Sequence, residues 1–114
     1  MGSGGGLGHV GIQFAKAVGL KVIGIDARDE GLELSKEVGA DVVIDARKGK
    51  DKVVEEVKKL TGGEGVDATV NVSDAKSAAA LACAITKMHA KMIQVAQVRR
   101  LDYYPFDDPL IIRI

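Results

Sequence analysis

The run Gly2-Ser3-Gly4-Gly5-Gly6-Leu7-Gly8-His9-Val10-Gly11 opens onto apolar residues at helical spacing, Leu7, Val10, Phe14 and Val18, and then onto Val22-Ile23-Gly24-Ile25-Asp26. The order reads as a glycine loop, a helix and a short buried strand that ends in an acid. Unpaired backbone N–H groups at a helix start favour a negative ligand, and residues without side chains let a pyrophosphate come close to them. Gly6, Gly8 and Gly11 satisfy G-x-G-x-x-G, whereas Gly2, Gly6 and Gly8 satisfy the looser G-x-x-x-G-x-G, so the spacing alone leaves the register open. Asp26 stands 20 residues beyond Gly6 at the end of the strand, where a carboxylate can accept both hydroxyls of an adenosine ribose. The competing reading is a flexible glycine-rich N-terminus with Asp26 an ordinary strand-end acid.

The same alternation continues outward from this unit. Gly19 suits the left-handed position after the first helix, and Lys21 to Asp26 is the strand that follows. Asp29 is placed to cap a second helix carrying Leu32, Leu34 and Val38, which Gly39 stops before the strand Val42 to Asp45. From Lys50 to Thr61, Val53, Val54, Val57 and Leu60 share one helical face opposite Lys52, Glu55, Glu56, Lys58 and Lys59. Asp67 to Val72 is the next strand, Ser73 or Asp74 caps an alanine-rich helix running to Met88, and Met92 to Ala96 is another strand. Gln97 to Pro109 reads as an irregular surface crossing and Leu110 to Ile114 as a last strand. Short β-branched runs between helices predict a doubly wound α/β domain with a mostly parallel sheet, one domain over 1–114.

Composition narrows the function classes. Sixteen basic residues balance sixteen acidic ones, so no field draws the chain to nucleic acid or an anionic membrane. No apolar run approaches the roughly 20 residues of a membrane helix, and a soluble, cytoplasmic protein is expected. The single cysteine, Cys83, excludes an internal disulfide and a zinc site of several thiolates, and reads as a small core residue. His9 and His89 are far apart and form no metal-ligand pattern. Asp41, Asp45 and Asp67 sit at strand edges and are assigned to structure, and Glu55 with Lys59 is read as a helical ion pair.

The segments Gly2 to Gly19, Val22 to Asp26, Val38 to Asp41, Ile44-Asp45, Thr61 to Asp67 and Asn71 to Ser73 closely resemble the coenzyme domain of medium-chain, zinc-type alcohol dehydrogenases, especially the tetrameric fungal and bacterial kind. The resemblance implies a Rossmann-like fold that binds NAD(H) and positions the nicotinamide for hydride transfer. It implies Gly5, Gly6 and Leu7 facing the pyrophosphate, with Gly2, Gly4 and Gly8 completing the loop. Asp26 would meet the ribose, Ala46 the adenine, and Ser73 and Val95 the nicotinamide half of the cleft. The departures are specific. Only Met1 precedes Gly2, where the family has the central strand, so the usual first strand is lacking. The family's catalytic domain, which carries the zinc ligands, has no counterpart here, so no catalytic or metal-binding residue is expected and the chain alone should be inactive. Gly31 replaces a lysine common in the family, which weakens the expected clamp on the adenosine, and Ala90 stands where a turn glycine is usual. Two alternatives stay open: a non-catalytic nucleotide-binding or assembly module, and a relative of NADPH-dependent quinone reductases. Asp26 repels the extra phosphate of NADPH while neighbouring Arg28 favours it. A homo-oligomer joined through a sheet edge or the C-terminal strand is also expected.

Overall fold

Glycines stop the first two helices of the chain. Helix α1 spans Gly6–Ala17 and ends where Gly19, at φ +84°, turns the chain left-handed. Leu20 N–H then donates to Ala15 C=O, satisfying a carbonyl at the helix end. Strand β1 is Ile23–Asp26, helix α2 is Asp29–Glu37, and Gly39 at φ +104° repeats the same stop before β2, Val42–Asp45. A single 3₁₀ turn, Ala46–Lys48, leads into α3, Lys50–Leu60, then β3, Val66–Asn71, α4, Ala78–Ile85, and β4, Thr86–Gln94. The computed structural model describes residues 1–96, so the expected crossing Gln97 to Pro109 and strand Leu110 to Ile114 lie outside the described residues.

Several expected boundaries move, most of all the strand expected at Met92 to Ala96, which runs from Thr86 to Gln94. Asp29 is the first residue of α2 and not its cap, acting through the helix dipole instead of a capping bond. Neither Ser73 nor Asp74 caps α4, which Ser77 precedes. The alanine-rich helix stops at Ile85, not Met88, because Thr86 already begins β4. The strand was hidden by an irregularity: pairing jumps from Val66 with Thr86 to Ala68 with Lys91, so Lys87 to Ala90 bulge out of register. His89, inside that bulge, has φ +63°, so the left-handed residue falls one place before Ala90.

Among the described residues all strand pairing is parallel. Ile23 to Asp26 pairs with Val42 to Asp45, and Ala68 to Asn71 pairs with Lys91 to Gln94. Among the described residues β1 and β3 do not pair with each other. Met1 and Gly2 bridge them: the Met1 ammonium donates to Val70 C=O at 3.0 Å and Met1 C=O accepts from Val72 N–H at 3.2 Å, while Gly2 N–H donates to Ile25 C=O at 2.8 Å.

Helices cover both faces of the β1–β2 pair. A Cβ on Gly24 would stand 3.2 Å from Ser35 Cβ, so that face meets α2. Ile25 and Ile44 point the other way and are buried with Val53 and Val57 of α3 and Leu81 and Ile85 of α4. Each such side chain contributes about 1.5–3 kcal/mol on burial. The apolar stripe of α1 behaves differently. Only Ile12 of that helix is buried, and Phe14 and Val18 are 71% and 73% exposed because no described element covers that side.

Candidate functional site

The C-terminal ends of β1 and β3 border a cleft of about 590 Å³ lined by Gly2, Gly5, Asp26, Ala46 and Ser73, five of the residues singled out in the sequence. The remaining ones divide by geometry. Gly4 lies beside the cleft and bonds Asp26, Gly6 faces open space, and Leu7 projects outward at 66% exposure. Gly8 turns toward the loop itself, where a Cβ would come within 2.1 Å of Gly2 C=O. Val95 donates its N–H to Asn71 C=O at the end of β3 but is not among the cleft's lining residues.

The glycines sort themselves by what a Cβ would do. Gly2 takes φ +71°, the tight turn; Gly8 permits the close approach of helix to loop; Gly6 has nothing within 4 Å and leaves the helix start accessible. Gly11 also has nothing within 4 Å, so the close packing expected of a last motif glycine is absent there. The backbone therefore follows the Gly2, Gly6, Gly8 spacing. No side chain caps α1, so no side chain occupies its first-turn N–H groups.

Asp26 is 5% exposed and heavily engaged. Its Oδ1 accepts from Ala27 N–H at 2.8 Å, Arg28 N–H at 3.1 Å and Arg28 Nε at 3.3 Å, and Oδ2 accepts from Gly4 N–H at 2.9 Å. A carboxylate offers about four acceptor sites, two on each oxygen, so Oδ2 keeps one open, while the two backbone N–H groups fill Oδ1 even when the Arg28 side chain swings away. That side chain is 58% exposed and free to do so. Burial works to raise the Asp26 carboxyl, but the Gly4 and Arg28 donors outweigh it and hold the group below its ordinary range. The nearby Met1 ammonium is lowered by burial, and the charge of Asp26 offsets part of that.

Gly31, read in the sequence as a lost lysine, has a positive reason to be glycine. A Cβ there would stand 2.5 Å from Asp26 Cγ. Residues the sequence did not single out also line the cleft: Arg47, Lys50, Val72 and Asp74. Arg47 pairs with Asp45 and Asp29, tying the end of β2 to the start of α2. Asp41 is structural as expected, bonding Val22 N–H and Lys16, and Glu55 pairs with Lys59. Cys83 is exposed, not a core residue. Among the described residues no group of three or more His, Cys, Asp or Glu could hold a metal ion. No helix among them is long and apolar enough to cross a membrane.

Comparison with known proteins places this geometry. Residues 6–112 match the zinc-binding dehydrogenase family. The NAD-dependent alcohol dehydrogenase of Sulfurisphaera tokodaii is 38% identical over 96 residues, which is 83% of this chain and 27% of that enzyme. The solved alcohol dehydrogenase of Aeropyrum pernix superposes with a TM-score of 0.77 at 30% identity, over 88% of this chain and 28% of that one. A mycobacterial protein solved in complex with NADPH gives a TM-score of 0.74 at 29% identity, over 88% of this chain and 31% of that one. The chain thus spans little more than a quarter of the length of the enzyme relative it matches. With its parallel α/β architecture and glycine loop, it belongs to the zinc-binding dehydrogenase family, as a coenzyme-binding domain of the medium-chain, zinc-type alcohol dehydrogenase kind.

Proposed function

We propose that this domain binds NAD(H) in the cleft above β1 and β3 and presents the nicotinamide for hydride transfer. The observation that carries the reading is the hydrogen bond from Gly4 N–H to Asp26 Oδ2, which joins the glycine loop and the ribose acid at one wall of one cleft. In this pose Gly6 and Leu7 offer backbone N–H groups to the pyrophosphate at the α1 start, and Gly5, whose own N–H is held by Gly2 C=O, lets it come close. Asp26 accepts a ribose hydroxyl on the open site of Oδ2. Ala46 supports the adenine, held by the Arg47 pairing, and Ser73 with Val95 borders the nicotinamide. Bound NAD⁺ supplies the hydride acceptor, and the alcohol-handling zinc chemistry belongs to the separate catalytic domain of the family. Calorimetric titration with NADH tests the reading: saturable binding that Asp26→Ala weakens supports it, and no binding to the folded chain overturns it. The purified chain is expected to bind without oxidising ethanol, with or without added zinc.

A second reading, NADPH as the cofactor of a quinone-reductase relative, is favoured by Arg28, Arg47 and Lys50 along the same cleft. Tighter binding of NADPH than of NADH would select it. A cytoplasmic location and self-association through a sheet edge go with the first reading.

A further inference from the structure

Ser35 on α2 is fully buried, Ser3 in the glycine loop is 5% exposed, and their hydroxyl oxygens lie 2.7 Å apart. Ser35 Oγ donates to Gly31 C=O at 2.6 Å. A hydroxyl has one proton to give. With the Ser35 proton directed to Gly31, Ser3 must donate to Ser35, and the order Ser3 to Ser35 to Gly31 is settled. The strand beneath leaves room for the pair, since a Cβ on Gly24 would meet Ser3 Oγ at 3.1 Å and Ser35 Cβ at 3.2 Å.

The relay ends on Gly31, whose backbone packs against the carboxylate. A Cβ on Gly4 would stand 2.0 Å from Gly31 Cα, and one on Gly31 would stand 2.5 Å from Asp26 Cγ. Loop, helix turn and carboxylate therefore touch through bare backbone, a contact that any small parting of loop from helix would open. We propose that Ser35 is a positioning residue: through Ser3 it holds the glycine loop against α2, so that Gly4 N–H stays on Asp26. Its consequence for ligand binding rests on the NAD(H) reading. Without the Ser35 hydroxyl, the buried Ser3 hydroxyl loses its acceptor and the loop shifts to find another. Gly4 then leaves Asp26, and the ribose and pyrophosphate contacts lose their common frame.

The test compares the wild-type chain with Ser35→Ala by two readouts. One is NADH affinity; the other is the pH midpoint of the Gly4 amide NMR shift, which reports titration of the carboxylate it bonds. The charged groups around Asp26 are Arg28 and the Met1 ammonium, with Arg47, Lys50 and Asp74 lining the same cleft, and none is altered by the substitution. The expected result is about tenfold weaker NADH binding, the loss of one buried hydrogen bond's worth of affinity. The Gly4 midpoint should rise toward the ordinary aspartate range. A folded Ser35→Ala chain with an unchanged midpoint overturns the proposal, whatever its affinity. If the wild-type chain does not bind NADH, the cofactor reading falls and the midpoint alone decides for or against Ser35. Should Ser35→Ala not fold, Ser3→Ala, which leaves Ser35 on Gly31, is judged by the same midpoint.

Discussion

Gly4 N–H and Asp26 Oδ2, 22 residues apart in the chain, share a 2.9 Å hydrogen bond. The acid is thus held by the loop as well as by its own strand end, and its ionised form is the one that the fold supports. Anything that protonates Asp26, or that pushes Gly4 away from it, acts on both halves of the site together.

That coupling gives stability a pH dependence of definite sign. Asp26 has its folded-state carboxyl below the ordinary value, so its contribution is complete above the unfolded aspartate value of about 3.9 and is lost as pH falls through the lowered folded one. Asp41 and Asp45 are lowered too, the first chiefly by Val22 N–H and the second chiefly by Arg47, and both remain in an Asp26→Asn variant. Urea unfolding from pH 7 to pH 3 should therefore show a shallower acid loss in Asp26→Asn than in the wild type. Parallel curves would mean that Asp26 is not tied as the hydrogen bonds indicate.

Two glycines should respond in opposite directions to the same substitution. Gly4→Ala drives a Cβ to 2.0 Å from Gly31 Cα, a backbone clash that costs at least about 1–3 kcal/mol. Gly11 lies inside α1 with nothing within 4 Å of its Cβ position, so Gly11→Ala should stabilise by about 0.5–1 kcal/mol through helix propensity. Thermal unfolding of the two variants beside the wild type checks both signs.

His89 carries a left-handed backbone without being glycine, at φ +63° in the β4 bulge. His89→Gly removes the Cβ clash of that conformation and should raise stability by about 1 kcal/mol. Denaturant midpoints decide it, and a loss of stability would show that the histidine side chain contributes more than its backbone costs.

The bulge also marks where the sequence stopped being legible. From α1 to α3, each helix has a clear apolar period or a glycine stop, and the expected elements sit within a few residues of the observed ones. At α4 the alanine-rich run has no period to end, and the four bulged residues, Lys87 to Ala90, erase the alternation that would announce a strand at Thr86. In the site, the glycine loop and Asp26 were readable because each stands at a local landmark, a helix start and a strand end. The Ser3–Ser35 bond was not, since two serines 32 residues apart carry no pattern until α2 is folded over the loop. The close packing of Gly31 on Asp26 was not legible for the same reason: that contact is tertiary. The α1 stripe was readable as a helix but not as an exposed one.

Cofactor choice follows from which group faces the ribose. The Asp26 carboxylate, nearly buried and held ionised, repels a 2′-phosphate, and the chain should bind NADH more tightly than NADPH. Asp26→Ser should narrow the gap, because Arg28 is then released to meet the phosphate. Arg28→Ala should widen it. Equal or tighter binding of NADPH by the wild type, in paired calorimetric titrations, would overturn this order.

The last prediction concerns the facing edges of β1 and β3. Met1 and Gly2 bridge them at Ile25, Val70 and Val72, and among the described residues the rest of each edge has no strand beside it. Unpaired edge groups beside apolar side chains recruit whatever strand is within reach. The exposed stripe of Leu7, Val10, Phe14 and Val18 adds an apolar surface of the kind that marks interaction sites. Leu110-Ile111-Ile112-Arg113-Ile114 has the β-branched composition to serve as that strand, within one chain or exchanged between two. The chain is therefore expected to sediment as a dimer or larger species at micromolar concentration. A version ending at Pro109 should shift toward monomer or lose cooperative unfolding. A stable, cooperatively folding monomer from both versions would show that the sheet closes without Leu110 to Ile114.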